Sequence, residues 1–166
     1  MTKKWNLKSI AKEIVIATIL IFILTNIISY IRKPELTSNM LPQLEAQLLD
    51  GSLYSVEKGK PLVLHFWGTW CPTCQLEIGN IEHISKEYEV LTIAVNSGDN
   101  SKLSRYLNEK GLTFRVLNDN RGEWAKKFNV VAYPTTFIYD GKGELKFTEV
   151  GYTTIAGLLA RLALIK

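Results

Sequence analysis

Residues 62–74 read LVLHFWGTWCPTC, and this stretch decides the fold. Its first half is almost wholly apolar and ends at Gly68, which is typical of a strand buried inside a parallel sheet. Pro72 follows at a position where a first helical turn tolerates proline, because the missing N–H has no helical partner there. The stretch therefore predicts a strand-to-helix junction with Cys71 and Cys74 at the start of the helix.

Cys71 and Cys74 are the two cysteines of the 166-residue chain. A disulfide that serves stability usually closes a longer loop, because that removes more conformational entropy from the unfolded chain. Two intervening residues make a loop that is poor for stability and good for reversible redox chemistry. The spacing therefore favours a redox-active pair over a structural cross-link, although zinc ribbons use the same spacing.

The net charge of +4 is unevenly distributed along the chain. Residues 1–33 hold six of the twenty Lys and Arg residues and one of the sixteen acidic residues. The remainder of the chain is therefore close to neutral and offers no basic patch for a nucleic acid. We predict no nucleic-acid partner.

Residues 14–31 carry no charged side chain. As a helix they span about 27 Å, nearly the thickness of a bilayer's hydrocarbon core. We predict an uncleaved single-pass membrane anchor within residues 1–33; a cleaved signal peptide is the alternative, but no small-residue cleavage site follows the apolar run. Four lysines precede the span and two basic residues follow it, which favours an extracytoplasmic C-terminal domain. Trp5 and Tyr30 are candidate interfacial aromatics.

Residues 34–42 are interpreted as a linker and residues 43–166 as one α/β domain. Asp50-Gly51 predicts a two-residue hairpin turn near the start of this domain. Strands that alternate with helices, followed by a terminal hairpin and a closing helix, predict an α/β sandwich with a mixed sheet. After residues 62–67, the predicted strands are residues 90–95, 114–117, 135–139 and 144–150. The predicted helices start at Cys71, at Asp99 or Asn100, at Gly122, and at Thr153 or Thr154. The helix that starts at Asp99 or Asn100 is expected to end at Gly111.

The motif at residues 70–74, WCPTC, and the motif YPTTF at residues 133–137 resemble those of the thioredoxin fold. More narrowly, residues 44–166 are similar to the membrane-anchored extracytoplasmic thioredoxin-like proteins of bacteria. That group includes the cytochrome c maturation thiol reductases and the copper-sensitivity-suppressor type of disulfide oxidoreductase. The resemblance implies a central mixed β-sheet flanked by helices, an N-terminal β-hairpin extension and thiol–disulfide exchange on protein substrates.

The resemblance also implies roles for individual residues. Cys71 is the expected nucleophile, because unpaired backbone N–H groups at a helix start stabilise a thiolate, and Cys74 is the expected resolving thiol. Pro134 matches the cis-proline of the family, which offers the preceding backbone to a substrate strand. Tyr133 is then the expected substrate-binding residue, although it differs from the small or β-branched residue common there.

Four further residues are candidates for supporting the site. Trp70 is expected to shield the disulfide, and Pro72 separates the cysteines. Glu77 matches a glutamate that tunes proton transfer in the cytochrome-maturation group, and a solvated helix glutamate is the alternative. His65 stands where thioredoxin has a buried acid, and it is interpreted either as a proton relay or as a core histidine with satisfied hydrogen bonds.

The expected partners are protein thiols or disulfides and a membrane-embedded electron donor or acceptor, without a cofactor or a metal site. The expected location is the inner membrane, with the domain in the periplasm or another extracytoplasmic space. A copper-handling protein that binds metal through Cys71 and Cys74 is the alternative function. It is disfavoured because no histidine follows His83 along the chain. The expected physiological role is reductant in cytochrome c maturation or oxidoreductase in copper or oxidative stress.

Overall fold

The computed structural model describes residues 7–36 and 38–165, without the side chains of residues 7–9, 25, 29 and 30. The chain divides into two compact units, Met1–Arg32 and Lys33–Lys166. The first unit contains the helix α1 (Leu7–Ile31). Within α1, Ile10–Ile28 has a mean hydropathy of 2.1 and is long and apolar enough to cross a membrane, a test that a signal sequence also passes. The predicted interfacial residue Trp5 and the Tyr30 side chain lie outside the described residues.

The second unit is an α/β domain with short connections. In chain order, its elements within residues 38–165 are β1 (Glu45–Gln47), β2 (Leu53–Ser55), β3 (Leu62–Trp67), α2 (Pro72–Ile84), β4 (Glu89–Val95), α3 (Asn100–Lys110), β5 (Arg115–Asp119), α4 (Glu123–Lys127), β6 (Thr135–Tyr139), β7 (Leu145–Val150) and α5 (Ile155–Ala163).

Five of these strands form one mixed sheet in the order β5-β4-β3-β6-β7. The central strand β3 pairs in parallel with β4 and antiparallel with β6. The outer pairs are β4 with β5, which is parallel, and β6 with β7, which is antiparallel. β1 and β2 form a separate antiparallel hairpin. The predicted mixed sheet and the N-terminal hairpin extension are confirmed.

The strand β3 separates two apolar layers, because successive side chains of a strand point to opposite faces. Val63 and Trp67 face the layer built with α2, α3 and α5. Leu62, Leu64 and Phe66 face the layer built with the hairpin and α4. All six residues of β3 are buried, as its apolar composition predicted. The redox motif therefore follows a strand that is buried along its whole length.

Local sequence signals set the ends of the helices. Asp99 caps α3 by accepting a hydrogen bond from the Lys102 N–H at 2.8 Å, and Gly111 ends the helix with a φ of 64°. Thr154 caps α5 by accepting from the Gly157 N–H at 3.1 Å. These caps confirm the predicted start and end of α3 and the predicted start of α5.

The turn of the N-terminal hairpin is longer than predicted. The Leu48 N–H donates to the Ser52 carbonyl at 2.8 Å, so the loop holds residues 49–51 instead of two residues. The physical reason is tertiary, because the Leu49 N–H leaves the hairpin and donates to the Val116 carbonyl at 2.8 Å. This bond covers part of the edge of β5, whose backbone groups would otherwise lack partners.

Residues 34–42, the predicted linker, belong to the second unit, and part of this segment is hydrogen-bonded to the rest of it. The Leu145 N–H donates to the Asn39 carbonyl, and the Leu41 N–H donates to the Gly143 carbonyl, both at 2.7 Å. Residues 39–41 therefore pair with the turn that connects β6 to β7.

Candidate active site

The two cysteines lie at the junction between β3 and α2, as predicted. They form a disulfide with their Cα atoms 5.2 Å apart. Cys71 is the N-cap residue of α2, and its Sγ accepts a hydrogen bond from the Cys74 N–H at 3.2 Å. Cys71 is 4% exposed, whereas Cys74 is 0% exposed. Cys71 is therefore the cysteine that an incoming sulfur can reach.

Trp70 forms an aromatic surface directly before Cys71. Its indole N–H donates to the Val95 carbonyl at 3.0 Å, and its ring meets Tyr133 edge to face with centroids 5.4 Å apart. Gly68 makes room for this ring, because a Cβ on Gly68 would lie 2.6 Å from Trp70 Nε1. Trp70 remains 53% exposed, so much of its ring is open to solvent beside Cys71 in the chain.

Ser97 anchors the backbone that carries Trp70, a role that the sequence did not indicate. The Thr69 N–H donates to Ser97 Oγ at 3.1 Å, and Ser97 Oγ donates to the Val95 carbonyl at 3.1 Å. From the other side, Gln75 Nε2 donates to the Thr69 carbonyl at 2.7 Å. The residues that precede Cys71 are therefore fixed by both β4 and α2.

The peptide bond between Tyr133 and Pro134 is cis, as the resemblance predicted. Pro134 is buried, and the Tyr133 carbonyl oxygen lies 3.6 Å from Cys71 Sγ. The fold thus brings together the cysteine pair and the proline loop, which are about 60 residues apart in sequence.

Glu77 is a buried carboxyl group and not a solvated one. Its Oε1 accepts a hydrogen bond from the Thr153 N–H at 3.0 Å, while Oε2 has no hydrogen-bond partner among the described residues. Burial raises the pKa of Glu77 to about 8, so the carboxyl is mostly protonated at neutral pH. Glu77 therefore links α2 to the segment between β7 and α5.

His65 is fully buried in the middle of β3. Its Nδ1 lies 2.9 Å from Oγ1 of Thr136, the residue opposite it on β6, and Nε2 has no partner within the described part of the chain. Burial lowers the pKa of His65 to about 3, so the imidazole is neutral at the pH values where proteins work. These features favour a core histidine over a group that changes charge near neutral pH.

Sequence reasoning missed three exposed apolar residues near the disulfide. Leu76 on α2 is 75% exposed, Val131 before the proline loop is 79% exposed, and Tyr152 between β7 and α5 is 52% exposed. The sequence gives no signal for them as a set, because they belong to three separate segments.

Within residues 7–36 and 38–165, no group of three or more His, Cys, Asp and Glu side chains could hold a metal ion. In this part of the chain, a copper-handling protein would therefore have to bind the metal through the sulfur atoms of Cys71 and Cys74, without a third His, Cys, Asp or Glu ligand beside them.

A buried central strand, a cysteine pair that caps the following helix and a cis-proline loop facing that pair define a thioredoxin-fold thiol–disulfide oxidoreductase. The chain belongs to the AhpC/TSA family, whose family model matches residues 37–148. The match includes both the cysteine pair and the cis-proline loop.

Similar proteins carry names of the same class. A thioredoxin-like protein of Haemophilus influenzae is 31% identical over 144 residues, covering 84% of this chain and 85% of that protein. The thiol:disulfide interchange protein DsbE of the same organism is 32% identical over 121 residues, covering 72% of this chain and 65% of that protein. Among solved structures, a secreted Mycobacterium tuberculosis disulfide oxidoreductase homologous to E. coli DsbE superposes with a TM-score of 0.65 at 26% identity, covering 74% of this chain and 96% of that one.

Proposed function

We propose that this chain exchanges disulfides with protein substrates on the outer side of a membrane, with Cys71 as the nucleophile and Cys74 as the resolving thiol. The observation that carries the proposal is the unequal position of the two cysteines. Cys71 caps α2 and is slightly exposed, whereas Cys74 is completely buried one turn further in. A substrate sulfur therefore meets Cys71 first.

The proposed exchange proceeds in two displacements. The thiolate of reduced Cys71 attacks one sulfur of a substrate disulfide, an enzyme–substrate S–S bond forms, and the other substrate sulfur leaves as a thiolate. Cys74, after losing its proton, then attacks Cys71 Sγ and releases the second substrate sulfur. The substrate gains two electrons and the enzyme ends with the Cys71–Cys74 disulfide; the reverse sequence oxidises a substrate dithiol.

The backbone at the start of α2 supports this role for Cys71. The Cys74 N–H points at Cys71 Sγ from 3.2 Å, and the first N–H groups of a helix have no partners within the helix. Together with the helix dipole they favour negative charge on Sγ. We expect this environment to stabilise the Cys71 thiolate both as nucleophile and as leaving group.

The cis-proline loop is the proposed binding site for the substrate backbone. Because the Tyr133 carbonyl lies 3.6 Å from Cys71 Sγ, a substrate segment that pairs with Tyr133 has its cysteine beside the nucleophile. The Tyr133 ring packs against Trp70, which supports the loop from the cysteine side. Pro134 fixes the direction of the chain after this contact.

Glu77 is the proposed proton-holding group near the resolving thiol. It lies three residues after Cys74 on α2 and retains a proton at neutral pH because burial raises its pKa to about 8.

A relay through His65 stays a prediction. It is tested by the pH dependence of the exchange rate in His65→Leu, because an unchanged profile excludes the relay.

The proposed location is the inner membrane, with α1 as a single-pass anchor and the domain outside. The apolar span Ile10–Ile28 and the excess of lysines at its N-terminal end support this arrangement. Disulfide exchange also has substrates in such compartments, because cysteines there become oxidised. A membrane-embedded electron donor or acceptor is the proposed redox partner, and no cofactor is needed for a dithiol exchange.

The direction of electron flow separates the two proposed physiological roles. A reductant in cytochrome c maturation requires a low reduction potential, near the value of about −270 mV for thioredoxin, and an oxidant requires one nearer −120 mV, the value for DsbA. The measurement is the equilibrium of the Cys71–Cys74 pair against a glutathione buffer, read as the fraction of free thiols.

The proposed roles of the two cysteines predict an asymmetric trapping result. Cys74→Ser removes the resolving thiol, so mixed disulfides between Cys71 and its substrates should accumulate in cells and appear as high-mass bands on non-reducing gels. Cys71→Ser is the matched control and should trap none, because Cys74 is buried. Equal trapping by both variants, or none by either, contradicts the assignment.

A further inference from the structure

The chain that follows the apolar span is fixed to the second unit within a few residues. The Glu35 carbonyl accepts a hydrogen bond from Asn129 Nδ2 at 2.8 Å, and Leu36 packs against the apolar layer that also holds Ala125 and Phe128. Ala125 lies on α4, and Phe128 and Asn129 directly follow this helix. Residues 35 and 36 are therefore attached beside α4 and do not form a free linker.

Asn129 combines two properties that suit this attachment. Its φ of 50° lies in the left-handed region, where asparagine is one of the few residues other than glycine that occur readily. Its side-chain amide is the donor to the Glu35 carbonyl. A glycine at this position would keep the backbone conformation and lose the donor, so the Asn129 side chain adds a contact that the backbone geometry does not require.

The length of the chain limits how far α4 can lie from the membrane. In the proposed location, residues 10–28 cross the bilayer, and Lys33 lies five residues later, at the level of the headgroups. From Lys33, the chain reaches Glu35 in two residues and the end of α4 through the hydrogen bond to Asn129. Lys127 is therefore at most about 20 Å from Lys33, whatever the orientation of the domain.

The segment that contains α4 is basic in a domain that is otherwise acidic. Residues 121–131 hold three basic residues and one acidic residue, whereas the rest of residues 34–166 holds eleven basic and fourteen acidic residues. The net charges of the two parts are therefore +2 and −3. An anionic lipid surface thus attracts the α4 side of the domain and repels the remainder.

Two lysines and a tryptophan lie together on α4. Lys126 and Lys127 are exposed, and Lys127 Nζ lies 4.7 Å from the centre of the half-buried Trp124 ring. Lysine side chains near a membrane surface are attracted to anionic lipids, and tryptophan rings are enriched at the level of the headgroups. The helix therefore offers the chemistry of an interfacial contact beside the point where the chain from the membrane is attached.

We infer that Lys33, Trp124, Lys126 and Lys127 form a membrane-facing surface, which binds the anionic phospholipid headgroups around the anchor. The inference rests on the proposed function, because it requires residues 10–28 to cross the bilayer. It adds an orientation to the proposed location. Residues 128–132 lead from α4 to Tyr133, whose carbonyl faces the cysteine pair, so the bound surface keeps the redox site near the bilayer and within reach of a membrane-embedded redox partner.

The test measures which face of the domain lies against lipid. The full-length chain is reconstituted into nanodiscs in its oxidised form, in which Cys71 and Cys74 are joined and do not take up a label. A single added cysteine carries a fluorescent label, either in Glu123→Cys on α4 or in Glu109→Cys on α3. The two positions are matched, because both are exposed glutamates and the two helices pack on opposite faces of the sheet.

Lipids that carry a nitroxide on the headgroup quench a label that lies close to them. In nanodiscs that contain phosphatidylglycerol, the label at position 123 should be quenched at least about twofold more than the label at position 109. This difference should shrink in pure phosphatidylcholine and at high salt, because both conditions weaken the attraction between the lysines and the lipid.

Charge variants assign the difference to the membrane-facing surface. Lys126→Gln combined with Lys127→Gln should lower the ratio of lipid-bound to free domain by about fivefold for each lysine. The control combines Lys102→Gln with Lys110→Gln, which removes the same charge from exposed positions on α3, and it should behave as the wild type.

Asn129→Gly tests the attachment separately. It keeps the backbone conformation but removes the hydrogen bond to Glu35, so α4 can turn away from the lipid and the difference in quenching should shrink. Every variant should reduce the small disulfide 5,5′-dithiobis(2-nitrobenzoate) at the wild-type rate, which confirms that its fold is intact.

Incorporation into the nanodiscs separates the two possible failures. If the chain does not remain with the nanodiscs on gel filtration, the proposed anchor is wrong and the inference falls with it. If the chain is incorporated but the labels at positions 109 and 123 are quenched equally in anionic lipid, or if the difference survives both the lysine variant and Asn129→Gly, the inference alone is overturned.

Discussion

Glu77 and His65 are buried titratable side chains whose pKa values are moved in opposite directions. Burial raises the pKa of Glu77 to about 8 and lowers the pKa of His65 to about 3, and in both cases the neutral form is favoured. Neither residue therefore brings a charge towards the cysteine pair at neutral pH. We therefore expect the backbone N–H groups at the start of α2, and not these two side chains, to stabilise the Cys71 thiolate.

The two shifts give stability a defined pH dependence. Unfolded His65 binds a proton below its ordinary pKa of 6.5 but folded His65 only below about 3, so its contribution to stability rises between pH 3 and 6.5. Folded Glu77 keeps its proton up to about pH 8, against an ordinary pKa of 4.5, so its contribution falls between pH 4.5 and 8. Each slope is at most about 1.4 kcal/mol per pH unit, and the two oppose each other between pH 4.5 and 6.5.

Glu77→Gln should therefore remove the loss of stability on the alkaline side. Between pH 6.5 and 8, the wild-type chain should lose about 1–2 kcal/mol of unfolding free energy, and the variant should lose little. The measurement is urea unfolding of the full-length chain in detergent at a series of pH values. His65→Leu is the control, because it should keep the alkaline loss and change only the acid side. An alkaline loss that persists in Glu77→Gln would show that another group causes it.

Gly79 lies at an exposed position inside α2, where a glycine lowers the stability of the helix. Glycine in a helix interior is about 0.5–1 kcal/mol less favourable than alanine. Because a Cβ at Gly79 would meet no atom within 4 Å, Gly79→Ala should stabilise the domain by about this amount. The midpoint of urea unfolding should rise by about 0.3–0.5 M with an unchanged slope. The control Gly68→Ala should destabilise instead, because its Cβ would lie 2.6 Å from Trp70 Nε1.

The elements that could be predicted from the sequence are those with local signals. The apolar run of β3, the cap Asp99 and the left-handed Gly111 each act within a few residues, and the structure has all three as predicted. The hairpin turn could not be predicted, because the Leu49 N–H bonds to Val116 far along the chain. The prediction of a two-residue turn, which was based on Asp50-Gly51 alone, is therefore wrong.

The same distinction applies to the candidate site. The cysteine pair and the cis-proline could be predicted because both lie in recognisable motifs at element ends. The burial of Glu77 could not, because it depends on a hydrogen bond from Thr153, 76 residues away. The position of Tyr152 could not be predicted either, because its hydroxyl accepts a hydrogen bond from Asn80 on α2, 72 residues away in the chain.

On the scale of the whole molecule, the chain combines a strongly apolar helix with a nearly neutral catalytic domain. Apolar side chains along α1, among them Leu20, Ile21 and Phe22, are 60–67% exposed, which is costly in water and favourable in a bilayer. Basic residues flank the apolar run of this helix, so the positive charge of the protein lies within residues 1–33. We expect this uneven distribution of basic residues to determine the topology of the chain in a membrane.

The lysines at the N-terminal end of the chain, the last two of them in the first turns of α1, predict which side of the membrane the domain occupies. Because positively charged flanks are retained in the cytoplasm, the four lysines within residues 1–12 should keep the N-terminus inside and place residues 33–166 outside. Protease added to intact spheroplasts that express the full chain should therefore degrade the domain, while a cytoplasmic marker protein survives. Replacing the four lysines by glutamine leaves Arg32 and Lys33 as the basic side chains that flank the span, so a large fraction of the domain should become protected. A wild-type domain that is degraded only after lysis would place the cysteine pair in the cytoplasm and contradict the proposed location.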